Sequence, residues 1–406
     1  MKRVLFVTSS FAPVAVPCVY RTLKFVKYLG EHGYEPEVLW VHGNRSRPRD
    51  QSLMLDVPEG LRVHVARSIL GRAMCALSAF FTGRPWIKED HAFFAEAARL
   101  AKRRHAERPF DAFVLSAPPL RLPLLGIDLA RELSIPWILD LRDPWGTFTP
   151  KLECSARVRA MIERMECDAY ASAGRVVVVT RGMADQIAGR FPDARDKLAL
   201  VHNGFDDDEF ADARYEPTPG LLRLYFGGTL RTGPDLDAVV SGIEEALAKE
   251  PGLRDVLRIE ITGRRTGDMA KRVAVAGLGS NITVSRPVSN REFARKVAGA
   301  DILFFYLPWA SEYAYSMKVF SYLRSGRPIL AVTPPEGPAA RIIGEFDAGA
   351  LSAPGDAAAF AEGLLSYYRR WRDGGLATRP LDERLKRFDR ENLAGMLAGE
   401  LDRITA

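Results

Sequence analysis

Short apolar runs alternate with amphipathic stretches along most of the chain. VLFVT from Val4 reads as a strand, and Arg21 to Gly33 then carries Leu23, Val26 and Leu29 at helical spacing, with Gly33 as a stop. PEVLWVH is the next strand, followed by FDAFVLS, IPWILDL, RVVVVT and KLALVHNGF, each separated from the last by residues of helical character. Such alternation predicts an α/β fold with a mostly parallel sheet covered by helices. Between Asn44 and Phe110 the pattern weakens into a basic RSRPRD turn, an apolar stretch from Ile69 to Phe81, and the helix-like DHAFFAEAARLAKRRHAE. We read this region as an insertion between core strands, either an acceptor- or membrane-facing element or a set of helices capping the sheet edge. Lys102, Arg103 and Arg104 at its helix end balance the helix dipole.

After NGFDDDEF the chain passes through ADARYEPTPGL, a Pro- and Gly-containing stretch without periodicity, which is the expected linker. A second alternating series follows, with strands LRLYFGG, LRIEITG, NITVSRP, DILFFYLP and RPILAVT and helices such as DLDAVVSGIEEALAKE and NREFARKVAGA. The reading is therefore two Rossmann-like units, 1–210 and 211–381, closed by a helical segment over 382–406. A length of 406 residues agrees with two cores rather than one.

Composition narrows the function classes. The chain is 47% hydrophobic and 27% charged, which is globular, and its formal charge of +6 favours an anionic ligand or surface. No basic stripe interleaved with aromatics appears, so a nucleic-acid partner is not expected. Cys18, Cys75, Cys154 and Cys167 show no Cys-x-x-Cys spacing and read as reduced thiols of a cytoplasmic protein. The opening apolar run is too short for a secretory signal. Ile69 to Phe81 is shorter than the roughly 20 residues of a spanning helix and contains Arg72, so any contact with the cytoplasmic membrane would be peripheral.

Open parallel sheets bind ligands beyond the carboxyl ends of their strands. YFGGTLRTGPDL places Gly227, Gly228 and Thr229 after a strand and Arg231 before the next helix. Glycines there admit backbone N–H groups to a phosphate, and Arg231 offers a forked charge partner, although a tight turn with a surface arginine fits the same residues. ITGRRTGD repeats the arrangement with Gly263, followed by Arg264 and Arg265. In SMKVFSYLRSGRPIL, Ser316 can cap a helix whose first turn holds Lys318. A lysine there opposes the helix dipole, an arrangement that an anion at the same place would relieve. IPWILDLRDPWG ends a strand with Asp140, Arg142 and Asp143, where Arg142 either clasps a neighbouring carboxylate or leaves Asp143 to bind a sugar hydroxyl. The histidines form no His-x-x-x-His pattern. The Asp-x-Asp pairs Asp206/Asp208 and Asp235/Asp237 lie by the linker and at a helix start, so no metal site is expected.

VLFVTSSFAP, YRTLKFVKYLGEHGYEPEVLWV, LDLRDPW, RVVVVTRGMADQI, LVHNGFDDDEF, ADILFFYLP and MKVFSYLRSGRPIL, in this order, resemble the family 4 glycosyltransferases of bacterial surface-polysaccharide and lipid-linked saccharide synthesis. The resemblance implies a GT-B architecture, with two Rossmann-like domains facing across a cleft and a C-terminal helix crossing back to the N-terminal domain. It further implies retaining transfer, without metal or cofactor, from a nucleotide-diphosphate sugar to a saccharide, lipid-linked or small-molecule acceptor. On the matching positions Arg231 and Lys318 would face the diphosphate. Gly227, Gly228, Thr229 and Gly263 would approach it by backbone, and the turn at Val288 would flank the base. Ser316, Phe320 and Ser321 would complete the donor side, and Asp143 would orient a sugar hydroxyl. Such families carry two glutamates at the places held here by Tyr313 and Ser321, with Glu312 beside the first. A serine gives ribose only a neutral hydrogen bond. This leaves a catalytically impaired binding scaffold as one alternative and a GT-B-type epimerase or phosphorylase as another.

Overall fold

Each of the apolar runs read as strands is one, and every pairing between strands is parallel. The computed structural model describes residues 1–41, 48–67, 89–119, 121–143, 145, 155–228, 233–264, 267–307, 315–376 and 378–406. The chain divides into two units: Met1–Asn203 with Arg390–Ala406, and Gly204–Asp389.

The first unit holds a seven-stranded sheet: β1 (Lys2–Thr8), β2 (Tyr34–Trp40), β3 (Val63–Val65), β4 (Ala112–Ala117), β5 (Trp137–Leu141), β6 (Arg175–Val178) and β7 (Leu198–Leu200). Its order, β3-β2-β1-β4-β5-β6-β7, reverses direction between β1 and β4. The first helix spans Pro17–Tyr28, beginning before the apolar spacing is visible because Pro17, with no N–H to satisfy, suits its first turn. A 3-10 turn over Leu29–His32 then closes on Gly33, whose φ of 83° few other residues adopt readily.

The region expected as an insertion contributes to the sheet itself. β3 pairs with β2 at the edge, and the helix Glu89–Glu107 packs on the helix Leu122–Leu133, with Lys102 bridging to Glu132 at 3.0 Å. Ile69 to Phe81 lies outside the described residues, among which no helix is long and apolar enough to cross a membrane.

The C-terminal segment is also more finely divided than its periodicity suggests. A 3-10 turn, Glu383–Phe388, buries Leu385 and Phe388 in the second unit. The helix Arg390–Thr405 instead buries Leu393, Leu397 and Leu401 in the first. There Tyr34 donates to Asp402 at 2.7 Å and Arg175 pairs with Glu400 at 2.5 Å. The division between units falls after Asn203 rather than after residue 210, because Phe205 and Phe210 pack with the second core.

The second unit carries β8 (Leu222–Gly227), β9 (Leu257–Thr262), β10 (Ile282–Ser285), β11 (Ile302–Tyr306), β12 (Ile329–Val332) and β13 (Gly349–Ser352). They stand in the order β10-β9-β8-β11-β12-β13, again with a reversal between first and fourth strands. Strand alternation sends Leu224, Phe226, Ile259, Ile261 and Phe304 to one face, beneath the helices Pro234–Lys249 and Ala357–Arg372. Tyr225, Leu303, Phe305 and Ile329 face the opposite core, with the helices Lys318–Ser325 and Pro338–Glu345.

A buried ion pair fastens the first unit. Arg21, fully inaccessible, donates to both carboxylate oxygens of Asp140 at 2.9–3.2 Å, to Val201 O at 2.9 Å and to His202 O at 2.6 Å. Ser116 donates to the same carboxylate at 2.8 Å. A desolvated pair so fully bonded ties the first helix, β4, β5 and the chain after β7 together. Asp140→Asn removes the counter-charge and should cost about 3–5 kcal/mol in urea unfolding, while Arg21→Met with Asp140→Leu should recover much of it. A loss below about 1 kcal/mol for Asp140→Asn would mean that the pair contributes no more than an exposed one.

Candidate functional site

The second sheet opens where its order reverses. β8 and β9 stay paired as far as Gly227 and Thr262, whereas β8 and β11 pair only through Leu224 with Ile302 and Tyr225 with Leu303. Beyond Tyr225 the two strands part, which is the place where open α/β sheets take ligands. Gly227 and Gly228 occupy that opening.

Close approach explains the glycines. A Cβ on Gly263 would overlap the carbonyl oxygen of Gly228, a backbone atom that cannot swing aside. On Gly227 it would lie 2.6 Å from the Phe293 ring and 2.8 Å from the Tyr225 hydroxyl. The Gly228 N–H donates to Thr262 O at 2.7 Å and the Gly263 N–H to Ser285 O at 3.2 Å, so the ends of β8, β9 and β10 are laced together. Tyr225 and Thr262 share a hydrogen bond of 2.7 Å underneath.

Against this turn lies Lys318, the first residue of the helix Lys318–Ser325. Its side chain fills the space where a Gly228 Cβ would be, and its Nζ stands 5.1 Å from the centroid of the Phe226 ring. Among the described residues no carboxylate lies within ion-pair distance of it. Lys318 is half-buried, yet the protein packed around its ammonium desolvates it without a counter-charge and pushes it down to about 8 from the usual lysine value of 10.5. The helix dipole opposes the same charge. The site thus holds a cation that its surroundings disfavour, beside a turn of closely packed backbone.

The remaining candidates divide. Ser316 does not occupy the cap position, which is Met317, but its Oγ accepts the Lys318 N–H at 3.4 Å. Ser321 is half-buried in the helix after Lys318. Phe320 points the other way: it is fully buried, packing on Tyr315 and Phe388 with ring centroids 5.1 and 4.8 Å away, and offers no side-chain surface to a ligand. Val288 is half-buried before Ser289, which caps the helix Asn290–Gly299 through a 3.3 Å bond from Glu292 N–H. Thr229 and Arg231, with Tyr313, Glu312 and Arg265, lie outside the described residues.

In the first unit, Arg142 clasps neither neighbouring carboxylate. It donates to Pro118 O at 2.9 Å, and Asp140 is taken by Arg21. Asp143 keeps access to solvent, yet the protein around it desolvates its carboxyl enough to raise it above the usual range, against the pull of Arg142. One member of each Asp-x-Asp pair has a structural partner: Asp206 accepts from Asp208 N–H at 3.1 Å, and Asp237 pairs with Arg272.

Sequence reasoning passed over Tyr322, whose hydroxyl accepts the Gly227 N–H at 3.5 Å. Its spacing four residues after Lys318, on the same helical face, was the available signal. Arg21 was passed over too, since nothing near it in the sequence names its partner.

Residues 18–204 match a family model described as a glycosyl transferase 4-like domain. No curated protein sequence matches the chain. Solved structures similar in fold include sucrose-phosphate synthase from Thermosynechococcus elongatus, 15% identical over 99% of this chain and 98% of that one, TM-score 0.66. Anabaena HepE in complex with UDP and glucose is 13% identical over 99% and 100%, TM-score 0.65. A trehalose 6-phosphate synthase from Burkholderia multivorans is 13% identical over 99% and 98%, TM-score 0.63. At such identities the likeness is one of fold, and the fold is GT-B, with two Rossmann-like units.

Gly263→Ala should displace the Gly228 turn. We expect a measurable loss of stability, on the order of 1–3 kcal/mol by chemical denaturation. A neutral substitution would show that the two turns are not held as closely as their packing indicates.

Proposed function

We propose that the chain is a glycosyltransferase that takes its donor as a nucleotide-diphosphate sugar, with the diphosphate seated on the Gly227–Gly228 turn against Lys318. The observation that carries this reading is the Lys318 ammonium at the carboxyl end of β8, desolvated and without a carboxylate partner among the described residues. A dianionic or trianionic ligand there would supply the missing counter-charge, and the amide-rich turn would add polar contacts. The glycosyl transferase 4-like match of residues 18–204 supports the reaction class. Structures of Anabaena HepE with UDP and with UDP-glucose, on the same fold, support the ligand class.

In this reading the charge that develops on the leaving diphosphate is neutralised by fixed cations, Lys318 and Arg231, rather than by a metal ion. Asp143 orients a hydroxyl of the transferred sugar. Hexosyl transfer with retention to a saccharide or lipid-linked acceptor, by a cytoplasmic enzyme in peripheral contact with the membrane, completes the proposal on the strength of the family resemblance. Ser321 favours one competing reading, a scaffold that binds the donor without turnover, because a serine holds ribose by a neutral hydrogen bond only. Restored turnover in Ser321→Glu beside an inactive parent would select the scaffold.

Calorimetric titration with UDP, GDP, CMP and dTDP and their sugars tests the donor site. Lys318→Ala and Arg231→Ala should each weaken the preferred nucleotide diphosphate about 10- to 100-fold, the effect of a lost charge-assisted bond. Unchanged affinity in both would remove the assignment.

The lysine also predicts a proton linkage. A bound anion favours the charged form, so at about pH 9 binding should take up a proton onto Lys318, seen as a dependence of the binding heat on buffer ionisation enthalpy. Affinity should fall as pH rises through about 8, where the free site loses its charge. Lys318→Arg, charged throughout, should abolish both effects; their persistence in that variant would place the titrating group elsewhere.

A further inference from the structure

Tyr322 stands one turn after Lys318 on the same face of the helix Lys318–Ser325, and the two side chains meet consecutive residues of the turn. Lys318 lies against Gly228, and the Tyr322 hydroxyl accepts the N–H of Gly227 at 3.5 Å. That N–H lies past the last β8–β11 pair, Tyr225 with Leu303, so no pairing with β11 reaches it. A buried backbone donor without an acceptor is costly, and the phenol stands where the departing strand would have been. Packing fixes the phenol: it is fully buried, stacked near Phe293 and set edge-on to Phe305, both at 6.3 Å between ring centroids.

We propose that Tyr322 is a positioning residue, whose hydroxyl, by accepting the Gly227 N–H, sets the glycine turn in register with the helix and so holds Gly228 beneath Lys318. The proposal rests on the donor-site reading for its functional meaning but has a readout that needs no nucleotide. If the hydroxyl is removed while the ring stays, Gly227 must find another acceptor, and the turn moves from the lysine. More water then reaches the ammonium.

A matched control exists in the same unit. The Tyr367 hydroxyl accepts from Ala350 N–H at 2.9 Å and donates to Ile329 O at 3.1 Å, bridging β12 and β13, the two strands at the sheet's other end. Tyr322→Phe and Tyr367→Phe therefore each delete one buried hydroxyl bonded to backbone, and only the first adjoins the glycine turn.

The experiment follows acylation of Lys318 against pH by mass spectrometry in the parent protein and both variants, with unfolding midpoints measured in parallel. The parent should show half-reactivity near about pH 8. Tyr322→Phe should move that midpoint upward, toward the ordinary lysine value, and weaken nucleotide diphosphate binding about fivefold or more. Tyr367→Phe should lower the unfolding midpoint without moving either. A Lys318 midpoint in Tyr322→Phe equal to that in Tyr367→Phe would overturn the positioning role. A parent protein that binds no nucleotide diphosphate but shows the shifted lysine would instead defeat the donor-site reading and leave the positioning role standing.

Discussion

A parallel sheet whose strand order reverses leaves, at the reversal, main-chain groups and side-chain space that neither neighbouring strand can satisfy. Each unit sets a helix side chain at the carboxyl edge of its sheet, the second at the reversal itself, and the two do so in opposite ways. In the first, Arg21 comes down beside β4 and β5, where Asp140 and Ser116 neutralise and bond it, with the carbonyls of Val201 and His202 taking its remaining donors. In the second, Tyr322 satisfies the Gly227 N–H and Lys318 covers Gly228, and no carboxylate among the described residues answers the lysine. One carboxyl edge is electrostatically closed, while the other keeps a charge in reserve.

That asymmetry is the basis of the proposed donor site. A desolvated cation with no carboxylate partner among the described residues loses its proton readily and lowers the stability of the fold that holds it, unless an anion is bound for part of the time. The lowered pKa of Lys318 and the compensated pair in the first unit are therefore two outcomes of the same desolvation. The donor site proposed above lies at the second of these edges.

The architecture was legible from the sequence because period-2 apolar runs and period-3.6 stretches alternate cleanly, and helix-covered parallel sheets bury their strands on both faces. Short edge strands escaped notice: β3 and β13 are brief, and His64 and Gly349 interrupt their apolar character. The C-terminal segment looked like one helix because Leu385 and Phe388 share the apolar rhythm of Leu393 and Leu397, although the two pairs enter different cores. Gly227, Gly228, Gly263 and Lys318 were singled out from their place at strand and helix ends, and the structure brings them together. A motif names residues without saying which face they take: the Phe320 side chain lies in the core, and Tyr322, two residues on, faces the glycines. Arg21 and Asp140 meet only through the fold, across 119 positions of sequence that no local pattern spans.

The most direct measurement is diffraction from crystals grown with UDP or the nucleotide diphosphate that binds best. The account requires the diphosphate oxygens to lie within about 3 Å of the Lys318 ammonium and against the Gly227–Gly228 turn, with Tyr322 still bonded to Gly227. A nucleotide bound at the carboxyl edge of the first sheet, or one that leaves Lys318 without an anionic neighbour, would contradict it.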